Sequence, residues 1–334
     1  MILLTAISLN LFSQDSSEKS LRLMFYNVEN LFDTYDDTLT EDNDFLPAGL
    51  MRWNYTRYSG KINSLYKTIV AAGNWNPPVL VAMCEVENRN VLENLVFDTY
   101  LSKYHYRIIH EDSPDGRGID VCMILREDCA SLIHYEYWIP HSDRIDKFTS
   151  RSVLYAKIAI ATDTLHVIMN HWPSRRGGVL AGEGLRLMIA QMVRSKIDSI
   201  NEFNSEKQKI IISGDFNCTP GDTEINLLTN QTNHYNSLIN LSENAAMRGC
   251  GTYRFKGTWE MIDQILVSEA LLTGTGRMYT NTEMFGVYKP DFLLRKDPKY
   301  PGSSPFSTFR GFKYQGGYSD HLPVLLDLGF RPDH

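Results

Sequence analysis

The chain has 334 residues, 43% of them hydrophobic and 22% charged, and carries a formal net charge of -7. That composition excludes a disordered or fibrous polypeptide and allows a substantial core in one large domain or two ordinary ones. The acidic balance argues against tight nonspecific nucleic-acid binding through a basic surface, but not against a small cleft that concentrates a metal ion and a few arginines.

Met1 to Phe12 form an apolar run, MILLTAISLNLF, followed by the polar SQDSSEKS. The pattern is that of an export signal without its basic n-region, so residues 1–20 are expected to be a signal-like or disordered leader. The product is then secreted, periplasmic or held at the cell envelope, and cytoplasmic if the run is not a signal. Nothing later is long and apolar enough to span a membrane. The strand Leu21 to Asn27 comes next and ends on a polar residue. An irregular, aspartate-rich stretch leads to a helix over about Tyr55 to Ala72, a strand from Pro78 to Glu85, and a helix with Val91, Leu92, Leu95 and Val96 on its apolar positions. Strands dominate the middle: YHYRII, DVCMIL after the glycine-rich SPDGRG, LIHYEYWI, SVLYAKIAI and TLHVIMN, the last two joined by ATDT as an antiparallel hairpin. A helix from about Glu183 to Phe203 presents Leu185, Met188, Ile189, Met192, Ile197 and Ile200 on one face and leads into the strand KIIISGD. TYRF, DQILVS, a pair between Arg277 and Tyr288, a long ordered loop up to Asp320 and the strand LPVLLDLGF complete the chain. Hairpins with few helices predict an α/β (α+β) fold of two packed mixed sheets flanked by helices, with residues 21–334 as a single domain. A doubly wound parallel sheet would need regular crossover helices. The five cysteines have no zinc-type spacing, and Cys84 and Cys122 read as buried small hydrophobes.

Several apolar strands release polar side chains where they end: Asn27, Glu85, His171, Asp215 with Asn217, and Asp320 with His321. One such residue is ordinarily a turn or cap. Their repeated placement supplies the group types that phosphate chemistry uses. A carboxylate closing an apolar strand, as Glu85 does, needs a cation or a donor. The i, i+2 spacing of Asp215 and Asn217 puts both on one side of an extended segment.

SGDFN (Ser213 to Asn217), GGYSDHLPV, FYNVEN and VAMCEVEN together resemble the endonuclease/exonuclease/phosphatase superfamily, in its order and over Leu21 to Phe330. That superfamily includes deoxyribonuclease I, exonuclease III-type abasic endonucleases, neutral sphingomyelinases and inositol polyphosphate 5-phosphatases. The resemblance implies a deoxyribonuclease I-like four-layer sandwich, a requirement for Mg²⁺ or Mn²⁺ with one ion or two, and a phosphodiester or phosphomonoester substrate. It implies Glu85 as principal metal ligand with Asn27 beside it, a donor set suited to a hard octahedral ion. Asp320 is expected to face the metal or the other histidine. His321 resembles the imidazole next to the scissile phosphate; adjacent strand residues point opposite ways, which argues against Asp320 as its orienting partner, and the resemblance implies Asp263 in that role. Asp215 resembles the residue that positions or deprotonates the attacking water, and Asn217 the one that grips a phosphoryl oxygen, unless the two help hold a second ion. His171 aligns the chain with the superfamily's two-histidine members.

Arg117 and Arg175, ahead of Arg151 and Arg176, are candidate phosphate clamps. Tyr253, Arg254, Lys256 and Trp259 either line the cleft or belong to a satisfied hairpin. A nuclease is the expected function. The alternatives are a phosphatase or a phospholipid- or sphingomyelin-type phosphodiesterase, with its pocket walled by the Phe285 to Tyr318 loop and the Asp33 to Trp53 excursion, and a catalytically silent binding module. The partner is then nucleic acid or a small or lipid phosphate ester, and the chain is expected to be a monomer.

Overall fold

The computed structural model describes residues 20–141, 150–175, 179–202, 207–229, 237–272 and 277–331; the leader, Arg176 and Phe203 lie outside the described residues. The chain begins with β1 (Leu21–Leu31), α1 (Tyr55–Ala72), β2 (Leu80–Val86), α2 (Arg89–Phe97), β3 (Tyr106–Ile109), β4 (Asp120–Arg126) and β5 (Ser131–Trp138). It continues through β6 (Val153–Ile160), β7 (Asp163–His171), α3 (Val179–Glu202), β8 (Ile210–Asp215), α4 (Thr223–Thr229), β9 (Leu238–Asn240) and α5 (Glu243–Met247). The hairpin β10 (Tyr253–Phe255) and β11 (Thr258–Glu260) precedes β12 (Asp263–Ser268), α6 (Glu269–Leu272), β13 (Met278–Tyr279) and β14 (Phe285–Val287). Two short hairpins, β15 (Leu294–Lys296) with β16 (Ser303–Pro305) and β17 (Phe309–Arg310) with β18 (Lys313–Tyr314), lead to β19 (Val324–Phe330).

Two sheets result. The first runs β13-β19-β1-β2-β4-β3, with β14 also on β19; the second runs β5-β6-β7-β8-β12-β9. Each has one parallel pair near its centre, β1 with β2 and β7 with β8, among antiparallel neighbours. The strands of the centre are apolar on both faces because both faces are covered. Leu23, Phe25, Ala82 and Met123 meet Ala156, Val167, Met169 and Ile265 between the sheets. On the outer face of the first sheet, Met24, Tyr26 and Met83 pack against Leu65 and Ile69 of α1 and Leu92 of α2. Ile168 and Ile212 pack against Ile189, Val193 and Ile197 of α3 on the outer face of the second. The four-layer sandwich expected from the sequence is therefore the observed one.

Helix bounds follow local chemistry. Asn54 caps α1 and Asn88 caps α2, each side chain accepting a backbone N–H of the first turn. The expected apolar positions of α2 are all buried. In α3 the buried stripe also takes Ala190 and Val193, and it includes Arg186, whose guanidinium bonds Glu224 at 2.7 Å. β1 runs past Asn27 to Leu31 by shifting its register on β2. The expected pair between Arg277 and Tyr288 consists of two separate strands, each pairing β19 rather than the other. All five cysteines are free, with Cys84 and Cys122 buried. Among the described residues no helix is long and apolar enough to cross a membrane.

Arg186 and Glu224 are buried together, at 2% and 3% side-chain exposure. Removing one partner leaves an uncompensated charge in the core. Arg186→Met is expected to destabilise the protein by about 3–5 kcal/mol in urea melts, with Arg186→Met/Glu224→Leu recovering most of the loss. Equal destabilisation by both variants would contradict that account.

Candidate active site

Parallel neighbours finish at the same edge of a sheet, so β1 and β2 release Asn27 and Glu85 side by side, and β7 and β8 release His171 opposite Asp215. Stacking the sheets brings these two pairs together. The Asn27 amide donates to Glu85 Oε1 at 3.2 Å and, across the sandwich, to Asp215 Oδ2 at 3.0 Å. His171 Nε2 lies 3.9 Å from Glu85 Oε1 and 3.8 Å from Asp215 Oδ2.

The backbone pays a local conformational cost to aim these groups. Glu85 has φ +63°, at a register shift between Cys84 and Val86, and Asn217 has φ +51°. Non-glycine residues occupy this left-handed region only where the surroundings fix them, and a bulge re-aims its side chain. The Asn30 N–H holds Glu85 Oε2 at 2.9 Å. Gly214 lets β8 approach β7, since a Cβ there would stand 2.3 Å from the Asn170 carbonyl oxygen.

His321 arrives on the segment before β19. Its Nδ1 is 2.7 Å from Asp263 Oδ2, its ring centroid is 4.9 Å from that of Tyr253, and its Nε2 is 3.9 Å from Asp215 Oδ2. Asp263 thus contacts His321, although the strand alternation used to set Asp320 aside does not apply. Asp320 sits at a bend and His321 makes an isolated antiparallel bridge with Tyr253, so the two are not on a continuous strand and Asp320 Oδ1 lies 4.0 Å from His321 Nε2. The same correction applies to Asp215 and Asn217. The segment is not extended: Asp215 Oδ1 accepts the Asn217 N–H at 2.9 Å, and the Asn217 amide donates to the Trp172 carbonyl at 3.0 Å. Both side chains nevertheless line one cavity.

That cavity measures about 580 Å³, within the size range of small-molecule sites. Glu85, His171, Asp215, Asp320 and His321 form its floor, Arg117, Arg175 and Glu260 its flanks, and Tyr253 and Phe255 one wall. Arg117 bonds Asp115 at 3.3 Å and stays 40% exposed. Arg175 spends two groups on Asn217 O and Asp222, both at 2.8 Å. Arg151 is buried away from the cavity, bonding Asp115 at 3.2 Å and the Trp172 carbonyl at 2.6 Å, so it braces the rim instead of clamping a substrate. Of the expected hairpin wall, Tyr253 lines the cavity. Arg254 is consumed by the carbonyls of Gly257, Pro301 and Ser303, and Trp259 lies beneath Lys289, 4.0 Å from its ammonium. The two long loops do not wall the pocket as expected; they pack on one another, with Trp53 and Phe309 ring centroids 5.7 Å apart. Asp115, Phe255 and Glu260 were not singled out in the sequence; only the glycine-rich setting of Asp115 and the hairpin pattern around the other two pointed to them.

The two histidines are driven in opposite directions. Burial, helped by Arg151, Arg117 and His321, pushes His171 well below the ordinary histidine range. Burial would also lower His321, but Asp263 and Asp215, with the hydrogen bond to Asp263, outweigh it and raise His321 well above that range. Burial also raises the Asp215 carboxyl, with Asp263 adding to it, and raises that of Asp320, with Glu85 and Asp215 adding to it. The floor therefore holds more buried negative charge than His321 alone offsets. Hard carboxylate oxygens facing one cavity fit a divalent cation, with Glu85 and Asp320 as the exposed donors. Asn27 sits beside Glu85 as expected, its Oδ1 accepting the Glu29 N–H at 3.0 Å and its amide donating to Glu85 and Asp215. Among the described residues two groups bring His and Asp ligand atoms within 4.8 Å of one another: Asp215, Asp263 and His321 in this site, and His110, Asp112 and Asp120 outside it.

Residues 22–329 match the family model described as the endonuclease/exonuclease/phosphatase family. Among solved structures, TDP2 of D. rerio humanised by 14 mutations superposes with a TM-score of 0.55 at 16% identity, over 93% of this chain and 99% of that one. An endonuclease/exonuclease/phosphatase family protein from Bacteroides thetaiotaomicron gives 0.55 at 14% identity, over 95% and 97%. The catalytic domain of human Nocturnin with bound sulfate gives 0.56 at 15%, over 93% and 95%. At these identities the likeness is one of fold. No sequence among curated proteins matches the chain.

The raised pKa of His321 has a defined linkage sign. Its contribution to stability is fully present below the unfolded value of about 6.5 and is lost as pH rises through the folded value. In metal-free protein, imidazole NMR is expected to show His321 protonated and His171 neutral at pH 7, and Asp263→Asn to bring His321 down. A His321 that titrates identically in both proteins would refute the assignment.

Proposed function

Since this chain belongs to the endonuclease/exonuclease/phosphatase family, we propose that it is a divalent-metal-dependent phosphoesterase that cleaves phosphodiester bonds, as a nuclease. The observation that carries this reading is the convergence of His171, His321 and the carboxylates of Glu85, Asp215 and Asp320 on one cavity, with the two imidazoles driven in opposite directions. Glu85 and Asp320 would hold Mg²⁺ or Mn²⁺, which when bound polarises a phosphoryl oxygen.

The chain's own groups divide the remaining work. Asp215, its carboxyl raised by burial, positions a water and accepts its proton. His171, neutral and with Nε2 facing two carboxylates, carries its proton on that nitrogen and donates to a non-bridging oxygen. His321, protonated and oriented by Asp263, supplies the proton that the leaving oxygen takes. Asn217 has an amide hydrogen left for a phosphoryl oxygen, and Arg117 extends its guanidinium from the flank. The aromatic wall of Tyr253 and Phe255 beside these donors favours an ester that carries a planar ring, as a nucleotide does. Glu260 on the flank, with the chain's net charge of -7, favours the second reading, a phosphatase acting on one small phosphate ester.

Purified protein is expected to nick supercoiled DNA and hydrolyse bis-p-nitrophenyl phosphate with Mg²⁺ or Mn²⁺, and to stop in EDTA. His321→Ala should keep its fold and lose about 10²–10⁴ in kcat. Turnover confined to p-nitrophenyl phosphate or an inositol polyphosphate would replace the nuclease by a phosphatase, and turnover of sphingomyelin alone by a lipid phosphodiesterase. Silence on every ester with metal still bound would leave a binding module.

A further inference from the structure

Lys61 on α1 is an unusual charge: the residue is 1% exposed. A buried ammonium persists only where oxygens replace its water. Its Nζ donates to Thr308 Oγ1 and to the Tyr318 carbonyl, both at 2.5 Å. Glu29, itself 6% exposed, accepts the N–H groups of Thr308 and Phe309 at 2.6 and 3.0 Å. Lys61 therefore ties both ends of the 308–318 segment to α1, and Glu29 ties its start to β1.

The segment does not need these ties to keep its own shape. Gln315 bonds back to Thr308, Gly317 to Ser307 and Tyr318 to Phe306 through the backbone. What the lysine adds is a fixed position for the segment relative to the sandwich. Tyr318 is followed directly by Ser319, whose hydroxyl donates to the Asn27 carbonyl at 2.7 Å and accepts the His321 N–H at 3.1 Å. Asp320 stands between them on the cavity floor. Neither Lys61 nor Glu29 lines the cavity; they reach it through the chain they hold and through the opposite charges they present to Asp320, which Lys61→Met/Glu29→Gln removes together.

We propose that Lys61 is a positioning residue of the active site: by holding Thr308 and the Tyr318 carbonyl from α1, it fixes Asp320 beside Glu85 and so sets how tightly the two carboxylates hold a divalent cation. The inference rests on the metal-dependent reading of the site given above. Its test uses Lys61→Met, which keeps the length and removes the charge, and Lys61→Met/Glu29→Gln, which also removes the buried carboxylate that the first change strands. Each is compared with wild type by the Mg²⁺ dependence of the rise in Tm above its EDTA value, and by kcat and KM on bis-p-nitrophenyl phosphate. The double variant is expected to fold, to need about 10-fold or more Mg²⁺ for half of the Tm rise, and to lose about 10-fold or more in kcat with KM little changed. A double variant with a lower Tm in EDTA but wild-type Mg²⁺ half-point and kcat would reduce Lys61 to a loop fastener and overturn the proposal. If wild type takes up Mg²⁺ but hydrolyses nothing, the phosphoesterase reading falls while the Mg²⁺ half-points still decide the role of Lys61. A wild type indifferent to Mg²⁺ overturns both.

Discussion

Four carboxylates, Glu85, Asp215, Asp263 and Asp320, converge where the central parallel pairs of two stacked sheets end, and much of the local structure answers the cost of burying them together. Like charges in a poorly solvated site repel, and each must find a donor or a cation. Asn27 places one amide between Glu85 and Asp215, the Asn30 N–H takes the other Glu85 oxygen, and His321 bonds Asp263. The left-handed backbone at Glu85 and Asn217 is the conformational expense of aiming these groups inward.

The same architecture gives two histidines different chemistry. His171 ends a strand with Arg151 behind it and no partner for its Nδ1, whereas His321 has a carboxylate on Nδ1 and two more near Nε2. Both are buried and both have two carboxylates near Nε2; the hydrogen bond of Asp263 to His321 Nδ1, where His171 has none, separates them. One site thus lowers the pKa of one imidazole and raises that of the other.

Much of this was legible in the sequence because it is local. Apolar runs gave the strands, the spacing in α1 and α2 gave their buried faces, and the polar residue closing each run gave most of the floor. What escaped depends on partners far along the chain or on backbone that departs from ideal geometry. Lys61 reads as an ordinary helix lysine, since Tyr318 lies 257 residues away. Strand alternation does not apply at Asp320 and Asn217, since each sits at a bend, and no pattern reveals that the Asn27 oxygen accepts the Glu29 N–H. The long loops looked like pocket walls by composition, yet their aromatic residues find each other first.

The amide of Asn27 deserves a last thought as a fastener. Between the sheets the contact is apolar and indifferent to ions, but at the site edge the halves are stitched by Asn27 to Asp215 and His321 to Asp263. The sandwich therefore has an interior of hydrocarbon and an edge of charge. Cohesion between the sheets is accordingly indifferent to protons and cations in the interior and sensitive to them at the mouth of the cavity.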